Sequence, residues 1–215
     1  MEQILALYAL PYDPAYPVIC YDERPCFLIG EKVEPLSLQS GQVRKEHYAY
    51  EKFGSCTLLA AIEPLTGQRL AQVHSRRTKR EYWLFCQALA ARYPQAVKIR
   101  LVQDNLNTHD ASAFYENMPA DEALALAERF EFCFTPKSAS WLNMIEIEFS
   151  ALSRLCLNRR IPTLLQLERE ILALVEDRNS ANLKINWQFS IQSARSKLNS
   201  HYSAVQVDNK KFQDS

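Results

Sequence analysis

Leu101-Val-Gln-Asp-Asn105 closes a run of apolar and β-prone residues that begins at Val97, and the Leu-Asn-Thr-His109 that follows leads into a helical pattern. The stretch reads as a buried strand that delivers Asp104 to its carboxyl end, where open α/β sheets place their ligand sites. A lone aspartate after a strand is ordinarily a turn or helix-capping residue. A functional reading needs further carboxylates that converge on the same place.

Working outward, Val18-Ile-Cys-Tyr21 is a second apolar run that ends in acid, at Asp22-Glu23. It follows a short helix over 2–10 and a proline-rich turn at Pro11, Pro14 and Pro17. Residues 24–52 are polar and weakly patterned, and read as a long irregular excursion. Phe53 to Ile62 and Arg69 to His74, joined by the turn at Glu63-Pro-Leu-Thr-Gly67, read as a hairpin that pairs with the first strand. Thr78 with Glu81 forms a capping box for a helix whose apolar stripe is Tyr82, Phe85, Leu89 and Tyr93. Beyond Asp104, 110–129 reads as one or two helices broken near Pro119, and Phe130 to Phe134 as a last strand. Helices follow from Trp141 to about Leu157 and from Thr163 to Arg178. This order predicts an α/β domain with a mixed five-stranded sheet and helices on both faces. Its expected divisions are a linker at 1–16, the α/β body at 17–160, a packed helical extension at 161–206 and a frayed tail at 207–215.

Composition sets limits on function. The 215 residues, 47% hydrophobic and 23% charged, match an ordinary globular protein with room for one substantial core. The six cysteines lie far apart without a Cys-x-x-Cys pair or neighbouring histidines, so they read as reduced core residues rather than zinc ligands. No apolar stretch is long enough to span a membrane and no basic leader is present, which points to a cytoplasmic protein. Net charge is zero, yet Arg76, Arg77, Lys79, Arg80, Arg92, Lys98 and Arg100 face only Glu81 within 76–100. Such segregation builds local positive surface on a neutral chain.

Two strands therefore end in aspartate. If the first and fourth lie side by side and parallel, Asp22 and Asp104 become neighbours and repel unless a cation neutralises them. Mg²⁺ suits an all-oxygen site, because it takes one or two carboxylates and keeps waters or phosphate oxygens. A third acid is expected from a helix packed on the sheet. Glu146 and Glu148 flank the apolar stripe of the helix that begins near Trp141, and periodicity leaves both open. Trp141 itself reads as a core residue.

Tyr21-Asp-Glu-Arg-Pro25, Asp104-Asn-Leu-Asn-Thr-His109 and Thr135-Pro-Lys-Ser-Ala-Ser-Trp-Leu-Asn-Met-Ile-Glu146 resemble the three signature blocks of DDE-type transposases, in the bacterial insertion-sequence family related to mariner elements. The resemblance runs from about Tyr12 to Tyr202. It implies a ribonuclease H-like fold, a catalytic and metal-binding triad of Asp22, Asp104 and Glu146, and two Mg²⁺ ions for which Mn²⁺ can substitute. The family's spacing selects Glu146 over Glu148. The implied chemistry is two-metal phosphoryl transfer on DNA, with element ends and target as substrates. Asn105, His109, Lys137 and Asn143 are candidates for DNA contact or for support of the triad.

Family members carry an N-terminal helix-turn-helix that reads the element ends. None precedes the first strand here, so the expectation is a catalytic domain acting as a homodimer or with a partner that carries the reader, in the cytoplasm near the bacterial nucleoid. Two other readings share these acids: a ribonuclease H-type nuclease, and an inactive relic that binds DNA or a partner.

Overall fold

The computed structural model describes residues 1–31, 49–106, 109–137, 139–200 and 203. Its elements in chain order are α1 (Glu2–Tyr8), β1 (Val18–Glu31), β2 (Tyr50–Glu63), β3 (Gln68–His74), α2 (Lys79–Arg92), β4 (Ile99–Gln103), α3 (Ser112–Tyr115), α4 (Ala120–Glu128), β5 (Phe130–Phe134), α5 (Ile145–Leu152), α6 (Leu164–Ser180) and α7 (Ile191–Lys197). The strands form one sheet in the order β3-β2-β1-β4-β5. β2 runs antiparallel to both β1 and β3, whereas β4 runs parallel to β1 and β5. This is the mixed five-stranded sheet of the ribonuclease H-like fold, as expected.

Period-two alternation distributes each strand between two cores. Cys20, Leu58, Ile62 and Val102 face α5 and α6 through Ile145, Phe149 and Ile171. Ile19, Tyr21, Leu59 and Leu101 face α2 and the short helices after β4 through Tyr82, Phe85 and Phe114. Both sides of β1 and β4 are thus covered, which is why Val18-Ile-Cys-Tyr and Ile99-Arg-Leu-Val read as nearly unbroken apolar runs. The capping box is present as expected: the Glu81 carboxylate accepts from the Thr78 amide, and Tyr82, Phe85 and Leu89 are buried. At Gly67 (φ +80°) an added Cβ would lie 2.8 Å from the Leu183 carbonyl carbon, so the β2–β3 turn sits directly against the chain that leaves α6.

The structure corrects several boundaries. β1 does not stop at its acidic pair but continues to Glu31, because β2 pairs with it as far as Tyr50. Pairing with β4 is confined to Val18–Cys20, so Pro25 lies where one side of β1 lacks a strand partner, a position that tolerates a residue without N–H. The excursion expected over 24–52 is therefore strand at both ends, and 32–48 fall outside the described residues. β4 begins at Ile99 rather than Val97, since the amides of Val97 and Lys98 donate to Ala15 O instead of joining the sheet. The single helix expected from Trp141 to Leu157 is divided into a 3₁₀ turn at Ser140–Leu142, α5, and a wider π turn at Ser153–Leu157. Trp141 is not core: it is 48% exposed and meets Phe189 edge-on, with ring centroids 5.2 Å apart. The tail at 207–215 falls outside the described residues.

Candidate active site

The parallel register sets Val18 beside Arg100, Ile19 beside Leu101 and Cys20 beside Val102. Carried two residues further, the same offset places Asp22 level with Asp104, the first residue beyond β4. Neighbouring strands are about 4.8 Å apart, and positions i and i+2 share a face. The two carboxylates therefore project on the side of Cys20 and Val102, the side on which α5 packs.

The start of α5 is fixed to this spot by Asn143. Its buried side chain donates from Nδ2 to Tyr21 O at 2.8 Å, and its Oδ1 accepts from the Ile145 amide at 3.4 Å. Glu146, in the first turn of α5, is exposed. Glu148, two residues on, is 2% exposed and held by Arg178 Nε and Nη2 at 2.7 and 3.0 Å and by Arg69 Nε at 2.9 Å. Of the two glutamates that periodicity leaves open, Glu148 is committed to the interior and Glu146 is free to face Asp22.

Electrostatics link the three acids. Burial raises the Asp22 carboxyl to about 6; the Glu23 amide, donating to Oδ1 at 2.7 Å, opposes this, the charges of Asp104 and Glu146 reinforce it, and His109 counters it. Asp104 moves the other way. Burial alone would raise it, but the hydrogen bond and charge of His109, the Leu106 amide and Arg77 together hold it below its ordinary value. His109 is fully buried, with Nδ1 2.6 Å from Asp104 Oδ1 and Nε2 3.1 Å from Glu23 Oε1. Burial pulls its imidazole down, yet the two carboxylates outweigh that and raise it to about 9. Asn105 and Lys137 are exposed and line a cleft of about 560 Å³ with Asp104, Leu106, Phe134 and Ser140.

A family model described as DDE superfamily endonuclease matches residues 17–168. The chain belongs to the DDE superfamily endonucleases. No curated protein matches it. Among solved structures, it is similar to the Mos1 transposase paired-end complex with left transposon end, at 13% identity and a TM-score of 0.37 over 78% of this chain and 56% of that one. It is likewise similar to the Mos1 strand transfer complex, at 15% identity and a TM-score of 0.41 over 86% of this chain and 60% of that one. Likeness at these scores is too slight to carry function across, and the chain spans less than two thirds of the Mos1 chains.

In this DDE endonuclease domain, no three acid, imidazole or thiol groups among the described residues form a ready-made ion cage. The donor chemistry nevertheless fits a hard divalent cation. Asp22 and Asp104 offer only oxygen, and the Asp22 carboxyl is raised chiefly by burial, with the charges of Asp104 and Glu146 adding to it. Mg²⁺ needs no more than one or two carboxylates to begin, with waters at its other positions. Sequence reasoning missed two residues that shape the site. The Glu23 side chain is only 1% exposed, next to Asp22 on the opposite face of the sheet, and Arg77 Nε lies 2.5 Å from Glu23 Oε2. The adjacent acids in Asp22-Glu23 were the available signal, since alternation sends the second to the opposite face of the sheet.

Proposed function

We propose that this domain cleaves DNA strands and transfers them, as the catalytic part of a transposase of the bacterial insertion-sequence kind related to mariner elements. What supports the proposal is the parallel register of β1 and β4, whose offset continues to Asp22 and Asp104, together with the charge of Glu146 on α5 bearing on Asp22. Asp22 and Asp104 would hold divalent metal, Mg²⁺ or Mn²⁺ as one ion or a pair, and Glu146 would close the set from the helix. Bound there, the metal supplies activation of water or a DNA 3′-hydroxyl and neutralises charge at the leaving oxygen. The chain's own residues do the placing. Asn143 holds the start of α5 against β1, while Lys137 at the cleft rim offers a cation to a phosphate and Asn105 a polar side chain beside it. Phosphate contacts of this type position DNA but carry little sequence information, so reading of element ends is assigned to a companion module or a dimer partner. The substrate places this activity in the bacterial cytoplasm, at the nucleoid.

Supercoiled plasmid incubated with the protein and Mg²⁺ or Mn²⁺ tests the assignment. The expected outcome is nicking by the wild type and none by Asp104→Asn. Equal nicking by both proteins would sink it.

A further inference from the structure

Behind the carboxylates, on the side of the sheet away from α5, lies a chain of paired polar side chains that the strand-cleavage reading leaves unused. The His109 ring is clamped: it stacks on Tyr82 with centroids 5.1 Å apart and an angle of 26°, and meets Tyr21 edge-on at 5.3 Å. Its two nitrogens face two carboxylates, Asp104 Oδ1 at 2.6 Å and Glu23 Oε1 at 3.1 Å. The Glu23 side chain, 1% exposed, also accepts from the Tyr21 hydroxyl at 3.2 Å, and its other oxygen meets Arg77 Nε at 2.5 Å. The chain meets solvent at its two ends, at Arg77, whose side chain is 42% exposed, and at Asp104, 33% exposed.

A core gains nothing from such an arrangement by default. Buried ion pairs often stabilise no more than apolar residues of the same volume, because desolvation offsets the attraction. What this arrangement does supply is direction. A ring stacked on one aromatic plane, met edge-on by another and paired with a carboxylate at its far nitrogen can hold the carboxylate at its near nitrogen in one rotamer. Ligand carboxylates are commonly oriented by a hydrogen-bonded outer partner of this sort.

We propose that Glu23 is a positioning residue for Asp104 that acts through His109, with Arg77 fixing Glu23, so that the Asp104 carboxylate is presented in one orientation to a divalent cation shared with Asp22. The inference rests on the functional reading above.

Mn²⁺ titration of the whole chain by calorimetry, without DNA and with thermal melts alongside, tests it, because orientation and simple charge predict opposite signs for Arg77→Gln. His109→Gln removes the donor to Asp104, and the loss of orientation is expected to weaken Mn²⁺ binding by about ten-fold or more. Glu23→Gln is expected to weaken binding to a similar extent, and the double variant no further than either single one, since both act on one path. His109→Asn, whose amide can donate from the Nδ1 position but has no atom to reach Glu23, should weaken binding as Glu23→Gln does; wild-type affinity in this variant would show that the donor alone suffices and would overturn the role of Glu23. Arg77→Gln at the exposed end separates the two, with weaker binding expected where charge alone predicts tighter, and it also stands in for Glu23→Gln if that variant does not melt cooperatively. His109→Gln that binds Mn²⁺ as tightly as a wild type that also nicks plasmid overturns the inference alone. A wild type that neither binds Mn²⁺ nor nicks overturns the functional reading and the inference with it.

Discussion

Glu146 and Glu148 are two positions apart on α5 and have different fates. Glu148 compensates two arginines, one of which, Arg69, is itself buried. Removing one partner from such a set strands uncompensated charge in the interior. Glu148→Ala is expected to cost about 3–5 kcal/mol in urea unfolding. Glu146→Gln, at an exposed position, should leave stability within about 0.5 kcal/mol and abolish plasmid nicking. The reverse pattern would exchange their roles. Glu63 illustrates a buried acid with no part in the site. Burial raises its carboxyl, and the hydroxyls of Thr66 and Tyr93 with the Arg92 charge only partly oppose this. A folded value above the ordinary 4.5 means that the native chain binds the proton more tightly than the unfolded chain. The resulting stabilisation is present at low pH and is lost as pH rises through 4.5 toward the folded value. The stability of Glu63→Gln relative to wild type should therefore improve as pH rises above 4.5 in parallel urea titrations; a flat difference would contradict the sign.

The elements show how much local chemistry decides. α2 begins where Thr78 and Glu81 place it, and α6 begins at Thr163, whose hydroxyl accepts from the Gln166 amide at 3.2 Å. Such caps act within one turn, so they are legible in sequence. α5 is different. Its helix could have run on from the preceding turn, but the Asn143 side chain is drawn away to Tyr21 O, across a sequence separation of 122. Asn143 itself is extended (φ −79°, ψ 112°), which ends the turn, and the bond ties the start of α5 to β1. Asn143→Ala leaves a buried carbonyl without its donor, at a cost of about 1–3 kcal/mol. Its nicking rate, measured below its melting range, is expected to fall further than the remaining folded fraction accounts for. Loss in strict proportion to unfolding would make the bond merely structural.

At the scale of the whole molecule, β1 and β4 are covered by both cores, whereas α1 and α7 lie at the periphery, linked by the Glu2–Arg195 pair. Native-state hydrogen exchange should therefore find the amides of Tyr21, Leu101 and Val102 opening only with global unfolding, and those of α7 opening by local fluctuation. Comparable protection in both would show a more uniform unit. By itself, the sequence determined the five strands, the capped helices, the two-sided burial of the central strands and the three blocks that hold Asp22, Asp104 and Glu146. These depend on alternation, helical period and capping, which operate over a few residues. Tertiary structure alone decided that β1 runs on to Glu31, that Glu148 is an interior anchor, that Trp141 stays half in solvent, and that Glu23 reaches Asp104 through His109. Each of those depends on a partner distant in sequence, and the competition between solvation and such partners is settled only when the strands and helices are brought together.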